Sequence, residues 1–208
     1  MSRIRPAIEV PLFTEPPPPW PVAAAEPWSW LPLDGDLTDE QTGLFVAVIA
    51  GGQTLTDLLD EETIIVPGGL VVDDSIHPGC CCGLEDWREW LDLLDGGHPW
   101  LGHSPDPVVE HRGGTLRVWQ DGKTRDRYAD IPRTDLFGML RQVHRDLNAF
   151  LAVLGRWVAA HGADPALVTL IDQSLQISAP LGYPDPPGWP AAPPTPRWPP
   201  MSPSRSGS

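Results

Sequence analysis

A chain of 208 residues is long enough for one ordinary core with tails to spare, and it holds no uninterrupted apolar run near the roughly 18 residues of a membrane span. Its formal net charge of -14, from 28 acids against 14 Lys and Arg, speaks against nucleic-acid binding, which depends on clustered bases, and favours cationic partners. The Arg3/Arg5 start runs into prolines and acids rather than the apolar stretch of a signal peptide, so the expected location is cytoplasmic.

Proline divides the chain. Nine of the 27 prolines fall in residues 1–32 and eleven from Pro180 to Pro203, leaving seven for residues 33–179. Proline lacks an amide donor and disfavours the helical region for its predecessor, so the ends are expected to stay flexible or draped over the surface. The organisation that follows is a Pro/Trp-rich segment over 1–32, a single α+β domain over 33–179, and a Pro-rich, disordered tail over 180–208. Trp20, Trp28, Trp189 and Trp198 sit in these ends, with Trp30 at the border. Exposed rings are avoided, which favours their docking on the body over recognition of another protein.

Within the body, Thr38-Asp39-Glu40-Gln41 has the form of a capping box and predicts a buried helix through Ala50, stopped by Gly51-Gly52. Thr56 to Glu62 reads as a short acidic turn or helix. Ile64-Ile65-Val66 and Leu70-Val71-Val72 read as a hairpin around Pro67-Gly68-Gly69. All three cysteines then stand together in His77-Pro78-Gly79-Cys80-Cys81-Cys82-Gly83, directly before a helix in which Leu84, Trp87, Leu91 and Leu94 recur at α-helical spacing and whose other face is carboxylate. Val108 to Arg112, Thr115 to Gln120 and Lys123 to Ile131, separated by Gly113-Gly114 and Asp121-Gly122, predict a three-stranded meander. A long helix follows Thr134-Asp135, with Leu136, Leu140, Val143, Leu147, Leu151, Leu154 and Val158 in one stripe. Asp164-Pro165 opens a last helix. Strands and helices are segregated, so the fold class is α+β: a small antiparallel sheet, built of a hairpin plus a meander, packed with about four helices.

The cysteine turn admits three chemistries. Its thiols can pack as small apolar groups where a strand passes into a helix. They can bind zinc through Cys80, Cys81 and Cys82 with His77, or with help from His98 or His103, although contiguous cysteines lack the two- to four-residue spacing of established zinc knuckles. Or Cys82, near a helix N-terminus, can act as a nucleophile, against which Glu85 and Asp86 favour the neutral thiol. Packing is the expected answer, and no assignable base or oxyanion donor accompanies the turn.

Charge is the stronger signal. From Asp34 to Glu110 there are seventeen acids against Arg88 alone. Asp57, Asp60, Glu61, Glu62, Asp73 and Asp74 precede the cysteine turn, and Glu85, Asp86, Glu89, Asp92 and Asp95 follow it. If these form one surface, the expected function is a non-enzymatic binding module for a basic protein, of the kind an immunity-type protein provides. The alternative is a zinc-binding or thiol-reactive cysteine-turn protein.

Overall fold

The computed structural model describes residues 2–13 and 17–182. The remainder of the expected C-terminal tail, with Trp189 and Trp198, lies outside them. Among the described residues two antiparallel three-stranded sheets pack with five helices, which makes the fold α+β.

The first sheet departs from expectation. Its central strand is β1 (Ile4–Glu9), flanked by β2 (Trp30–Pro32) and β3 (Gly68–Val72) in the order β2-β1-β3. The start of the chain, expected to remain outside the body, is therefore the middle of a sheet. Ile4, Ala7, Ile8 and Val10 are all buried. Pro6 is tolerated here because its carbonyl accepts from Leu33 N at 2.9 Å: N and O of one strand residue face the same side, so the missing donor falls beyond β2 rather than in the β1–β3 ladder.

The hairpin of residues 64–72 does not form. Ile8 pairs with Gly68 and Ala7 with Gly69, so Pro67-Gly68-Gly69 enters the sheet instead of turning, and Ile65 is 78% exposed. A Cβ at Gly68 would collide with the Ala7 carbonyl, and its φ of 147° suits only glycine.

Helix α1 (Asp39–Ala50) starts at the capping box of Thr38 and Gln41 and ends at Gly51 in the left-handed conformation. Trp20 from the Pro/Trp-rich segment docks on it, donating from Nε1 to Gly43 O at 2.9 Å and meeting Trp157 edge-on. Trp30 stacks on His77, whereas Trp28 is exposed. A second capping box, Thr54 with Asp57, opens α2 (Leu55–Leu59).

The second sheet is the expected meander of β4 (Val108–Arg112), β5 (Thr115–Trp119) and β6 (Tyr128–Pro132). Gly113-Gly114 makes the first turn. The second connection runs over 120–127 and is not the tight Asp-Gly turn expected; Asp121 instead accepts from the amides of Lys123 and Thr124, closing a wider loop.

Helix α3 (Arg133–His161) buries the whole predicted stripe and packs against β1, α1, β6 and the last helix α4 (Ala166–Leu175). At about 1.5 Å per residue its 29 residues span roughly 43 Å, so it acts as a spine on which the other elements dock.

The element after the cysteine turn is a 3-10 helix, Leu84–Asp95, and not an α-helix. Its sequence explains the difference, because Leu-Glu-Asp, Trp-Arg-Glu, Trp-Leu-Asp and Leu-Leu-Asp are four triplets with an apolar first residue and an acidic third. At three residues per turn the first positions eclipse one another, and Leu84, Trp87, Trp90 and Leu93 are the buried ridge. The α-helical stripe expected through Leu91 and Leu94 is corrected accordingly: both are only partly buried.

Candidate functional site

The cysteine turn is pinned at both ends. Cys80 forms an isolated antiparallel bridge with His103 and Gly83 another with Pro67, so the two residues between them must change direction sharply. Cys81 does so by adopting a φ of 64°, rare for a residue with a side chain. The approach of the loop segment around His103 depends on two glycines. A Cβ at Gly79 would strike Pro105 O and His103 N, and one at Gly102 would lie 2.5 Å from Gly79 O. Gly79 N donates to Leu101 O at 2.8 Å and His103 N to Cys80 O at 3.1 Å.

This geometry separates the three thiols. Cys80 Sγ lies 3.2 Å from His103 Nδ1 and 3.8 Å from Cys81 Sγ, and donor atoms of Cys80, Cys81 and His103 all fall within 4.8 Å of one another on an exposed surface. Cys82 turns away toward Gly83 O, half-buried near Gly69. Burial, followed by the charges of Asp86, Glu85 and Glu89, pushes its thiol up to about 12, which suppresses the thiolate a nucleophile needs. Cys80 is also raised, first by desolvation and then by its hydrogen bond with Cys81.

His77 is not part of this group. Its ring stacks on Trp30 at 4.9 Å, its backbone is clasped by both ends of the Gln120 amide, and burial together with Arg127 and Arg5 lowers its pKa. Of the zinc candidates named from sequence, Cys80, Cys81 and Cys82 with His77, His98 or His103, the fold gathers Cys80, Cys81 and His103 and leaves Cys82 and His77 apart. His98 instead packs edge-on against His111. The expectation of buried packing thiols also fails for Cys80 and Cys81, both exposed because the left-handed residue swings them outward.

The acids fall into separate groups. Asp57 caps α2, with Asp60, Glu61 and Glu62 exposed just beyond it. Asp73 accepts from Arg3 N, and Asp74 pairs with Arg5 at 2.5 Å, so both serve the edge of the first sheet. Glu85 folds back over Gly83 to accept from Val66 N at 3.1 Å. Helix α4 stands between α2 and the 3-10 helix, packing on each.

Asp86, Glu89, Asp92 and Asp95 occupy the third position of successive triplets and form one ridge of the 3-10 helix, half-buried beside Cys82 at Asp86 and exposed from Glu89 onward. A rise of about 2.0 Å per residue spaces them roughly 6 Å apart. Arg88, the sole base of this half, does not neutralise them: its guanidinium donates to the carbonyls of Gln176, Ala179 and Pro180, beyond the end of α4. Asp86, Glu89 and Asp92 have no ion pair or side-chain hydrogen bond among the described residues. Asp92 and Asp95 sit in the last turns, where the helix dipole favours cations.

Triplet periodicity could have identified this ridge in the sequence. Nothing local points to His103 as the partner of Cys80, because the bridge between them is tertiary. No family model, no curated protein and no solved structure matches the chain. Among the described residues no helix is long and apolar enough to cross a membrane.

Proposed function

We propose that this protein is a non-enzymatic binding module that engages a basic protein through the acidic ridge of its 3-10 helix. The observation that carries the reading is the row of Asp86, Glu89 and Asp92, uncompensated on a helix whose neighbouring ridge, Leu84, Trp87, Trp90 and Leu93, is locked in the core. A spacing of about 6 Å is shorter than the Debye length of about 8 Å at physiological salt, so neighbouring carboxylates repel one another and act together on an approaching cation. The partner's Lys and Arg side chains relieve that repulsion on binding. Acids at the C-terminal end of a helix weaken it, a cost that local stability does not explain. An immunity-type protein that covers the cationic surface of a toxin is the biological form this charge pattern suits.

The test is differential capture from the native host, comparing wild type with the triple variant Asp86→Asn, Glu89→Gln, Asp92→Asn, followed by association kinetics of the purified partner. The partner retained by wild type alone is expected to be basic, with an association rate that falls steeply with salt. The triple variant should associate more slowly and with a flatter salt dependence. An acidic partner, or an unchanged rate at low ionic strength with circular dichroism intact, refutes the reading.

A further inference from the structure

We propose that Cys80, Cys81 and His103 form a surface site for a thiophilic metal ion, Zn2+, held by two thiolates and one imidazole with a fourth position open to solvent. The distances already approach those of a bound site. Tetrahedral angles with Zn–S of about 2.3 Å and Zn–N of about 2.0–2.1 Å require sulfurs roughly 3.8 Å apart and a sulfur–nitrogen separation of roughly 3.6 Å. The two sulfurs stand 3.8 Å apart, Cys80 Sγ lies 3.2 Å from Nδ1, and the remaining separation, from Cys81 Sγ to the His103 ring, is within 4.8 Å, so a side-chain adjustment of at most roughly 1.2 Å admits the ion. The donors are positioned by backbone: the Cys80–His103 bridge fixes two of them, and the left-handed Cys81 brings the third to the same side.

Competing roles fit less well. A disulfide between adjacent residues would join Cα atoms only about 3.8 Å apart, below the usual range of about 4.4–6.8 Å, so the pair favours a shared ion over a bond to itself. The nearby carboxylates do not turn the site toward hard cations, because sulfur and imidazole are poor ligands for Ca2+ and Mg2+. On binding, each thiol loses its proton to buffer as its sulfur–zinc bond forms, and the imidazole binds through Nδ1, the atom that now faces Cys80. Exposure of all three residues leaves the fourth position to water. The site is independent of the acidic ridge, and either can fail without the other.

The full chain, reduced with a non-thiol reductant, is titrated with Co2+ as a spectroscopic probe of tetrahedral thiolate sites. The expected result is a sulfur-to-cobalt charge-transfer band that saturates at one ion per chain, is displaced by Zn2+ and is unaffected by excess Mg2+ or Ca2+. Cys80→Ser, Cys81→Ser and His103→Asn should each weaken binding by at least about tenfold, since loss of even an outer-shell partner typically costs that much. Cys82→Ser and His77→Ala should leave it unchanged. No charge-transfer band at stoichiometric cobalt overturns the proposal. So do a plateau at one ion per two chains, and loss of the band on mutation of Cys82 or His77 with circular dichroism intact.

Discussion

Removing residues 1–10 should abolish cooperative folding, although the proline count alone makes this end look dispensable. The deletion takes away Ile4, Ile8 and Val10, each no more than 1% exposed. Burial of such side chains contributes about 1.5–3 kcal/mol apiece, so the three amount to roughly 5–9 kcal/mol, against a typical domain stability of about 5–15 kcal/mol. Both neighbours of β1 would also lose their hydrogen-bonding partner, because β2 and β3 pair with it and not with each other. A chain beginning at Pro11 is therefore expected to show no cooperative transition by near-ultraviolet circular dichroism or calorimetry.

Point substitutions make the same test without deletion. Ile8→Ala, at a fully buried position, should cost about 2–5 kcal/mol and lower Tm by about 4–20 °C for a domain of this size. Ile65→Ala, at a position 78% exposed, should stay within about 0.5 kcal/mol of wild type. A cooperative melt of the truncated chain, or an Ile8→Ala variant as silent as Ile65→Ala, would sink the placement of β1 at the centre of the sheet.

Two further expectations concern pH. Burial, with Arg88, Arg141 and Arg145 nearby, lowers the pKa of His144 despite its hydrogen bond to Ile177 O, so this group's contribution is full above the unfolded value of about 6.5 and is lost as pH falls below it. Urea midpoints should fall from pH 7 to pH 5, and His144→Gln should shrink that fall; an undiminished slope would contradict it, with His77 supplying the remainder. The paired hydrogen bonds from Arg117 hold the Asp130 carboxyl below its usual range, so its contribution is present above about pH 4 and disappears as pH drops through the depressed value. Asp130→Asn should flatten the acid limb of the stability profile below about pH 4, and an unchanged limb would show that the pair adds nothing measurable.

Much of the fold is legible in local patterns. The Thr38 capping box, the stripe of α3 and the Gly113-Gly114 turn each depend on neighbouring residues, and each appears where the sequence places it. The first sheet was hidden because its logic is long-range. Whether Pro6 is compatible with a strand depends on which side its missing donor faces, set by the register of β1 against its neighbours, and on where β2 stops. Likewise Pro67-Gly68-Gly69 has the composition of a turn, and only the close approach of Ala7 shows why glycine is needed in a strand.

The site was half legible for a related reason. The rule that zinc cysteines need a spacer assumes that neighbouring side chains diverge, as they do in an extended strand where successive Cβ atoms point to opposite faces. A left-handed residue breaks that alternation, and at Cys81 the chain reverses between two bridges, Cys80 to His103 and Gly83 to Pro67. The same reversal sends Cys82 toward the interior beside the first carboxylates of the 3-10 helix, where its proton is held tightly. One backbone angle thus gives three chemically identical residues two different environments, an exposed pair beside an imidazole and a shielded thiol. Neither environment can be assigned from the run of cysteines alone, because the bridges that fix its ends are made to residues 67 and 103.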